Sequence, residues 1–337
     1  MNTNSLPKSL VRELLDDGSR QRILVLGDFM LDQFIWGRVD RISPEAPVPV
    51  VEFQRESFMP GGAANVARNL AKLKNPVSII GPIGRDHAGT TLKQLLTDEG
   101  VDCKGLFVQT KRPTSIKTRI VAHQQQMVRV DRESKSELDR ETVDRVLRLV
   151  EKQLSKTAAV IIGDYGKGAV TQPLLDGVKK LCRARGIWIS LDPKPVHKVD
   201  ISGLSLITPN RKEAFELAGI DDGQRGRHPL EDKNLMQVVK VLQRKLKPAL
   251  LLITLGDQGM LLCHPGEKPF HIPTTALEVY DVSGAGDTVI ASFTLAIVGG
   301  ASPFEAAVFS NHAGGVVVGK VGTATCTPKE LLASFYR

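Results

Sequence analysis

The feature that most constrains this chain is the alternation of short, continuously apolar runs with stretches of helical periodicity. Apolar runs at Ile23 to Gly27, Val77 to Gly81, Ala158 to Gly163, Ile187 to Leu191, Leu204 to Thr208, Ala249 to Thr254 and Met260 to Cys263 have the length of strands. Helical patterns lie between and after them, near 63–74, 87–99, 140–154, 172–185, 211–218, 234–246, 286–299 and 303–318. A strand that is apolar throughout must be covered on both faces, and strands separated by helices join as parallel neighbours. The expected fold is therefore α/β, a doubly wound and mostly parallel sheet flanked by helices. The 337 residues, 42% of them hydrophobic, suffice for one large domain spanning 1–337, with or without a small appendage.

Two stretches break the rhythm: residues 33–60 and 112–131 read as strands with no helix between them. In the second, Ile116, Thr118 and Ile120 alternate with Lys117, Arg119 and Val121, the period-2 pattern of a sheet with one apolar and one polar face. His123 to Gln125 is the expected hairpin turn and Met127 to Asp131 the return strand. These pieces form either a small β appendage beside the main domain or extra edge strands on the main sheet.

Lys and Arg number 45 against 37 acidic residues, a net charge of +8. That excess suits an anionic small molecule, and a mildly basic solvated surface accounts for it equally well. Nucleic acid is disfavoured, because only 5% of residues are aromatic and no basic stripe interleaves with them. Cys103, Cys182, Cys263 and Cys326 are scattered, without CxxC or zinc spacing, so reduced thiols and a cytoplasmic location are expected. Residues 1–20 carry no apolar signal core. Leu6, Leu10, Val11, Leu14 and Leu15 instead fit an amphipathic helix. No apolar run approaches the roughly 18 residues of a membrane span.

The most informative segment is Val279-Tyr280-Asp281-Val282-Ser283-Gly284-Ala285-Gly286-Asp287-Thr288, which leads directly into an apolar helix. Gly284 and Gly286 permit a tight turn that brings backbone N–H groups close to a ligand, and a helix N-terminus adds partial positive charge. An acid there is placed to take a proton from an attacking hydroxyl. The same residues are also consistent with Ser283 as an N-cap and Asp287 as a first-turn acid. Pro60-Gly61-Gly62-Ala63-Ala64-Asn65-Val66-Ala67 likewise sets glycines before a helix, with Asn65 in its first turn.

Together these segments resemble the two signature regions of the ribokinase (PfkB carbohydrate kinase) family, Gly-Gly-x-x-Asn-x-Ala early and Asp-x-x-Gly-Ala-Gly-Asp late. Their order, separation and intervening βα rhythm match over nearly the whole chain. The resemblance implies a ribokinase-like fold with a β-sheet lid, here 33–60 and 112–131, and ATP-dependent phosphorylation of a sugar. It casts Asp287 as catalytic base, and Gly284, Ala285 and Gly286 as an anion hole for the transferred phosphoryl group. Asn210 and Glu213 match an Asn-x-x-Glu motif linked to Mg2+ and phosphate, although the pair also reads as a helix cap with its reciprocal acid. Thr254, Gly256 and Gly259 resemble the turn that cradles nucleotide phosphates, and Asn311 falls near the expected adenine. Asp281, with Val282 where many members have Thr, resembles part of a K+ loop together with Gly322 to Thr325. No Walker P-loop or His-Arg-Asp loop is present.

Substrate contacts are expected from Asp32, assisted by Asp28, where the first strand ends. Gly61, Gly62 and Asn65 belong to the same expected site. Arg85, Arg119, Lys167 (in Gly163-Asp164-Tyr165-Gly166-Lys167-Gly168) and Lys194 lie toward the expected substrate end, with Asp164 beside them. Several cations converging there favour a substrate that already carries phosphate, whereas any one of them reads equally as a solvated charge. The wording of Gly27 to Asp32, of Arg41 to Val50, of Gly163 to Gly168 and of Asp192-Pro193-Lys194 resembles the heptose-phosphate branch of the family. That branch acts on the anomeric hydroxyl of D-glycero-β-D-manno-heptose 7-phosphate, for lipopolysaccharide core precursors. The resemblance further implies a homodimer formed through the lid. Because the chain stops at Arg337, a kinase without the nucleotidyltransferase domain of some relatives is expected.

Overall fold

The structure, a computed structural model, describes residues 5–123, 125–223 and 225–336. The strands are β1 Ile23–Gly27, β2 Phe29–Ile42, β3 Pro49–Gly62, β4 Val77–Gly84, β5 Asp102–Gln109, β6 Ser115–Ala122, β7 Gln125–Arg132, β8 Ala159–Gly163, β9 Trp188–Asp192, β10 Leu206–Ile207, β11 Leu250–Thr254, β12 Met260–Cys263 and β13 Phe270–Ile272. The α-helices are α1 Lys8–Gly18, α2 Ala63–Lys72, α3 His87–Asp98, α4 Arg140–Leu154, α5 Gln172–Arg183, α6 Arg211–Ala218, α7 Lys233–Leu246, α8 Ala285–Val298, α9 Pro303–Val318 and α10 Pro328–Ser334.

Nine strands form the main sheet in the order β13-β12-β11-β10-β9-β8-β1-β4-β5. All its pairings from β11 to β5 are parallel, and β12 and β13 add an antiparallel edge. The continuous apolar strands are buried on both faces, as their composition requires. Ile23, Val25, Ile161 and Leu252 pack under α1, α2, α8 and α9, while their neighbours Leu24, Leu26, Ile162 and Leu251 pack under α4, α5 and α7. The helix α8 is apolar all round because it is enclosed all round, with every residue from Asp287 to Ala296 buried. All four cysteines are unpaired and buried.

The stretches that broke the rhythm form a separate four-stranded sheet, order β3-β2-β6-β7, which settles the two alternatives in favour of an appendage. Its strands run over 29–62, longer than the expected 33–60, and over 115–132, starting three residues later and ending one later than the expected 112–131. Of the expected hairpin turn, residue 124 lies outside the described residues; His123 takes a left-handed φ of 49°. Three elements were not anticipated. The strand β5 is half exposed and contains Lys104 and Gly105, so it has no clean period. The strand β13 and the helix α10 are only three and seven residues long. The expected strand over 204–208 pairs only at Leu206 and Ile207.

Candidate active site

Right-handed βα connections bring the carboxyl ends of the parallel strands to one edge of the sheet. Asp28 follows β1, Asp164 follows β8, Asp192 ends β9, Asn210 follows β10 and Thr254 ends β11. The N-termini of α2 and α8 arrive at the same edge. Gly284, not Ser283, is the N-cap of α8, and it is left-handed at φ 78°. A Cβ on Gly284 would lie 2.6 Å from the Asn65 amide, so glycine lets the two helix starts approach.

Asp287 is buried in the first turn of α8, and its carboxylate does not cap the helix. Asn65 Nδ2 donates to Oδ2 at 2.7 Å, and the Tyr165 hydroxyl donates to Oδ1. One turn along, Thr288 Oγ1 donates to Asn69 Oδ1 at 2.9 Å, and Asn69 Nδ2 donates to the Asn65 carbonyl at 2.9 Å. Burial raises the Asp287 pKa to about 6, against the lowering by its two hydrogen bonds and by Lys194. A carboxyl at that value is mostly ionised at neutral pH and remains a serviceable proton acceptor.

Asp32 is buried on the lid's inner face, where Arg119 Nη1 pairs with it at 2.6 Å. A Cβ on Gly61 would overlap the Asp32 carboxylate, and Gly62 takes φ 58°, so both glycines are set by local geometry. Asp28 departs from the expected sugar contact. Its oxygens accept the backbone N–H groups of Tyr165 (2.9 Å), Lys167 (3.1 Å) and Ala169 (3.0 Å), so it shapes the 164–169 loop. Asp164 is also internal to that loop, bonded to Gly166 N at 2.9 Å and His197 Nδ1 at 2.7 Å. Its pKa is raised, by burial foremost.

The basic residues divide. Lys167 Nζ pairs with Glu133 at 2.6 Å beside the lid. Lys194 instead turns to the nucleotide-motif side and pairs with Glu213, near Asp192. Arg85 is exposed, with no side-chain partner among the described residues. Lys117, not singled out in the sequence, stands on the lid strand β6 facing the loop residue Lys167, its pKa lowered by burial foremost, with Lys167 and Arg129 lowering it further against the pull of Asp131 and Asp32.

Asn210 and Glu213 form a full capping box: Asn210 Oδ1 accepts Glu213 N at 3.0 Å and Glu213 Oε2 accepts Asn210 N at 3.0 Å. The other Glu213 oxygen faces Lys194. Asp192 is pushed up to about 8, first by burial and second by the Glu213 charge. The two carboxylates repel each other and Lys194 offsets only part of that charge, so their oxygen donors suit a further hard cation such as Mg2+. Among the described residues no cluster of three His, Cys, Asp or Glu forms a metal cage on its own. Gly256 and Gly259 take φ 65° and 83° after Thr254. Asn311 Nδ2 donates to the Pro273 carbonyl at 2.7 Å and pins that segment to α9. Asp281 accepts Ser283 N at 2.8 Å and Gly322 N at 3.0 Å, tying the two loops of the expected cation site together.

Sequence reasoning missed Tyr165, Asp192 and Lys117. An acid ending a parallel strand was the available signal for Asp192. Nothing local marks the other two: Tyr165 bonds Asp287, 122 residues away, and Lys117 is set apart only by which of the charges around it are already paired.

Residues 20–330 match the family model described as pfkB family carbohydrate kinase. The bifunctional protein HldE of Desulfatibacillum aliphaticivorans is 42% identical over 312 residues, 93% of this chain and 62% of that protein. The HldE of Trichlorobacter lovleyi is 38% identical over 331 residues, 98% of this chain and 66% of its own length. The chain thus spans about 62% of the first of these curated relatives. Among solved structures, Arabidopsis thaliana ribokinase complexed with ribose and ATP superposes with a TM-score of 0.71, at 20% identity over 94% of this chain and 98% of that one. Escherichia coli phosphofructokinase-2 in complex with potassium gives 0.73, at 22% identity over 94% and 99%. No helix among the described residues is long and apolar enough to cross a membrane. With the fold, the glycine turns and a buried acid at the head of α8 all present, this chain belongs to the pfkB family of carbohydrate kinases and is a sugar kinase.

Proposed function

We propose that this kinase transfers the γ-phosphoryl group of ATP to the anomeric 1-hydroxyl of D-glycero-β-D-manno-heptose 7-phosphate, giving the 1,7-bisphosphate used for lipopolysaccharide core precursors. The observation that carries the chemistry is Asp287, buried at the N-terminus of α8 with a pKa raised to about 6. The heptose assignment is supported by the segments that resemble the heptose-phosphate branch. They supply Tyr165, whose hydroxyl bonds Asp287, and Asp32 and Lys194, whose charges act on it. The cationic inner lid face supports an acceptor that is itself an anion.

In this reading the sugar O1–H donates its proton to Asp287 as O1 attacks the γ-phosphorus in line. The O1–P bond forms, the bond to the bridging oxygen breaks and ADP leaves. The hydroxyl displaces the Tyr165 hydroxyl from Oδ1, while Asn65 keeps Oδ2 fixed. The Gly284 to Gly286 amides offset charge growing on the phosphoryl oxygens. Asp32 binds sugar hydroxyls, and the lid excludes water. Asn210, Thr254, Gly256, Gly259 and Asn311 border the nucleotide. Glu213 and Asp192 would hold Mg2+, which would supply neutralisation of phosphate charge. Asp281 and the Gly322 to Thr325 loop would hold K+, which would supply positive charge beside the anion hole. The enzyme works in the cytoplasm as a lid-to-lid homodimer on a small-molecule substrate, with neither nucleic acid nor membrane as partner.

The test is ADP release from Mg-ATP against a panel of heptose 7-phosphate, heptose, hexose phosphates and nucleosides, with the product's phosphate position read by NMR. Release with heptose 7-phosphate and a new phosphate at C1 is expected. A better acceptor elsewhere in the panel, or no sugar-dependent release, overturns the assignment.

A further inference from the structure

On the inner face of the lid, β2, β6 and β7 place charged residues side by side. Asp32 stands opposite Lys117, and Lys117 opposite Asp131; in the next row Phe34, Arg119 and Arg129 align. Paired residues and those two apart share a face, so these side chains and the loop residue Lys167 occupy one patch. Three of its four cations are matched. Arg119 pairs with Asp32 at 2.6 Å, Arg129 with Asp131 at 2.8 Å and Lys167 with Glu133 at 2.6 Å.

Lys117 is the one left over. It is half-buried and makes no hydrogen bond or ion pair among the described residues. Its ammonium is destabilised by burial, and Lys167 and Arg129 repel it. Asp131 and Asp32, which stand opposite Lys117, attract it, but each is already ion-paired to an arginine, so an anion between Lys117, Lys167 and Arg129 would complete the arrangement. Asp32 links this patch to the base, standing opposite Lys117 in the sheet and acting through its charge on Asp287.

We propose that Lys117, flanked by Lys167 and Arg129, is the subsite for the phosphate that the sugar already carries, and that this residue makes the enzyme select phosphorylated sugars. The proposal rests on the reading that the acceptor is a sugar phosphate. It assigns that phosphate to Lys117 rather than to Arg85, which is exposed in the loop after β4, or to Lys194, which faces Glu213.

The test compares kcat/KM for a phosphorylated sugar and for its dephosphorylated form in wild type, K117M and K117R. Lys117→Met is expected to lower kcat/KM for the phosphorylated sugar roughly 10- to 100-fold, the usual effect of a lost charge-assisted contact. The dephosphorylated sugar should be turned over unchanged, and K117R should recover most of the loss. Inorganic phosphate should compete with the sugar phosphate, and not with ATP, in wild type. That last measurement needs no variant, so misfolding of K117M leaves the proposal exposed. An equal loss with both sugars, or absence of phosphate competition, overturns it. If wild type prefers a different phosphorylated sugar and K117M acts selectively on it, the heptose assignment fails and the subsite stands. If wild type prefers an unphosphorylated sugar, the subsite fails and the kinase assignment is untouched.

Discussion

Asp287 has a proton affinity set by opposing effects, burial raising it and the Tyr165 and Asn65 hydrogen bonds lowering it, with a result of about 6. If it is the base, kcat/KM falls tenfold per unit as pH drops below about 6, because the carboxylate must be ionised to accept a proton. Tyr165→Phe removes a donor that favours the ionised form, so the acid limb should move to higher pH; a pH–rate profile reads this directly. A merely structural tyrosine would lower activity evenly at all pH values. The same shift affects stability. A carboxyl with a folded pKa raised from 3.8 to about 6 adds stability below about pH 4 and loses it as pH rises through 6, on the order of 3 kcal/mol. D287N should therefore abolish most turnover and leave Tm at pH 8 equal or higher, the usual relation between a functional buried charge and stability. A lower Tm with retained turnover would show that Asp287 is structural. In the sequence, Asp287 and a capping acid looked alike; the Tyr165 contact, 122 residues away, tells them apart.

The turn ahead of α8 holds two glycines with different reasons to be there. Gly284 needs its left-handed φ, and a Cβ would press on Asn65. Gly284→Ala should cost about 1–3 kcal/mol in urea denaturation and displace Asn65 from Asp287. Gly286 has no left-handed φ, and a Cβ there meets no protein atom within 4 Å. Gly286→Ala should leave stability within about 0.5 kcal/mol and, if the turn is the anion hole, still reduce kcat, by placing a methyl where the phosphoryl oxygen would be received. Unchanged kcat in G286A would remove the turn from the catalytic machinery. At this scale the helices were largely legible, since their apolar period and caps are local. The N-cap itself was misplaced by one residue. Ser283 has the right chemistry for a cap, but its N–H is turned toward Asp281, whose second oxygen is held by Gly322 from the far loop.

The nine-stranded sheet and the four-stranded lid enclose the site between them, and the lid's other face is apolar and exposed. Phe53, Val128 and Val130 stand in solvent there, sharing a face with Ile35 and Ile120. An uncovered face of this kind suits a second copy of the chain. Light scattering should give twice the chain mass for wild type and a monomer for V128D/V130D; a monomeric wild type sinks the lid-to-lid arrangement. The sequence by itself determined a parallel sheet covered on both faces, the presence of period-2 strands outside that rhythm and the two glycine turns, while strand pairing decided that those strands form a sheet of their own. Each of these follows from residue periodicity or backbone freedom within a few positions. Only the tertiary structure decided which charges are available. Asp28 and Asp164 carry the right chemistry for a sugar contact, yet their oxygens go to backbone and His197, whereas Lys117 is a half-buried cation of the inner lid patch with no partner among the described residues. Pairing between side chains from distant segments is fixed by strand order and register, and a linear pattern of charges does not contain either.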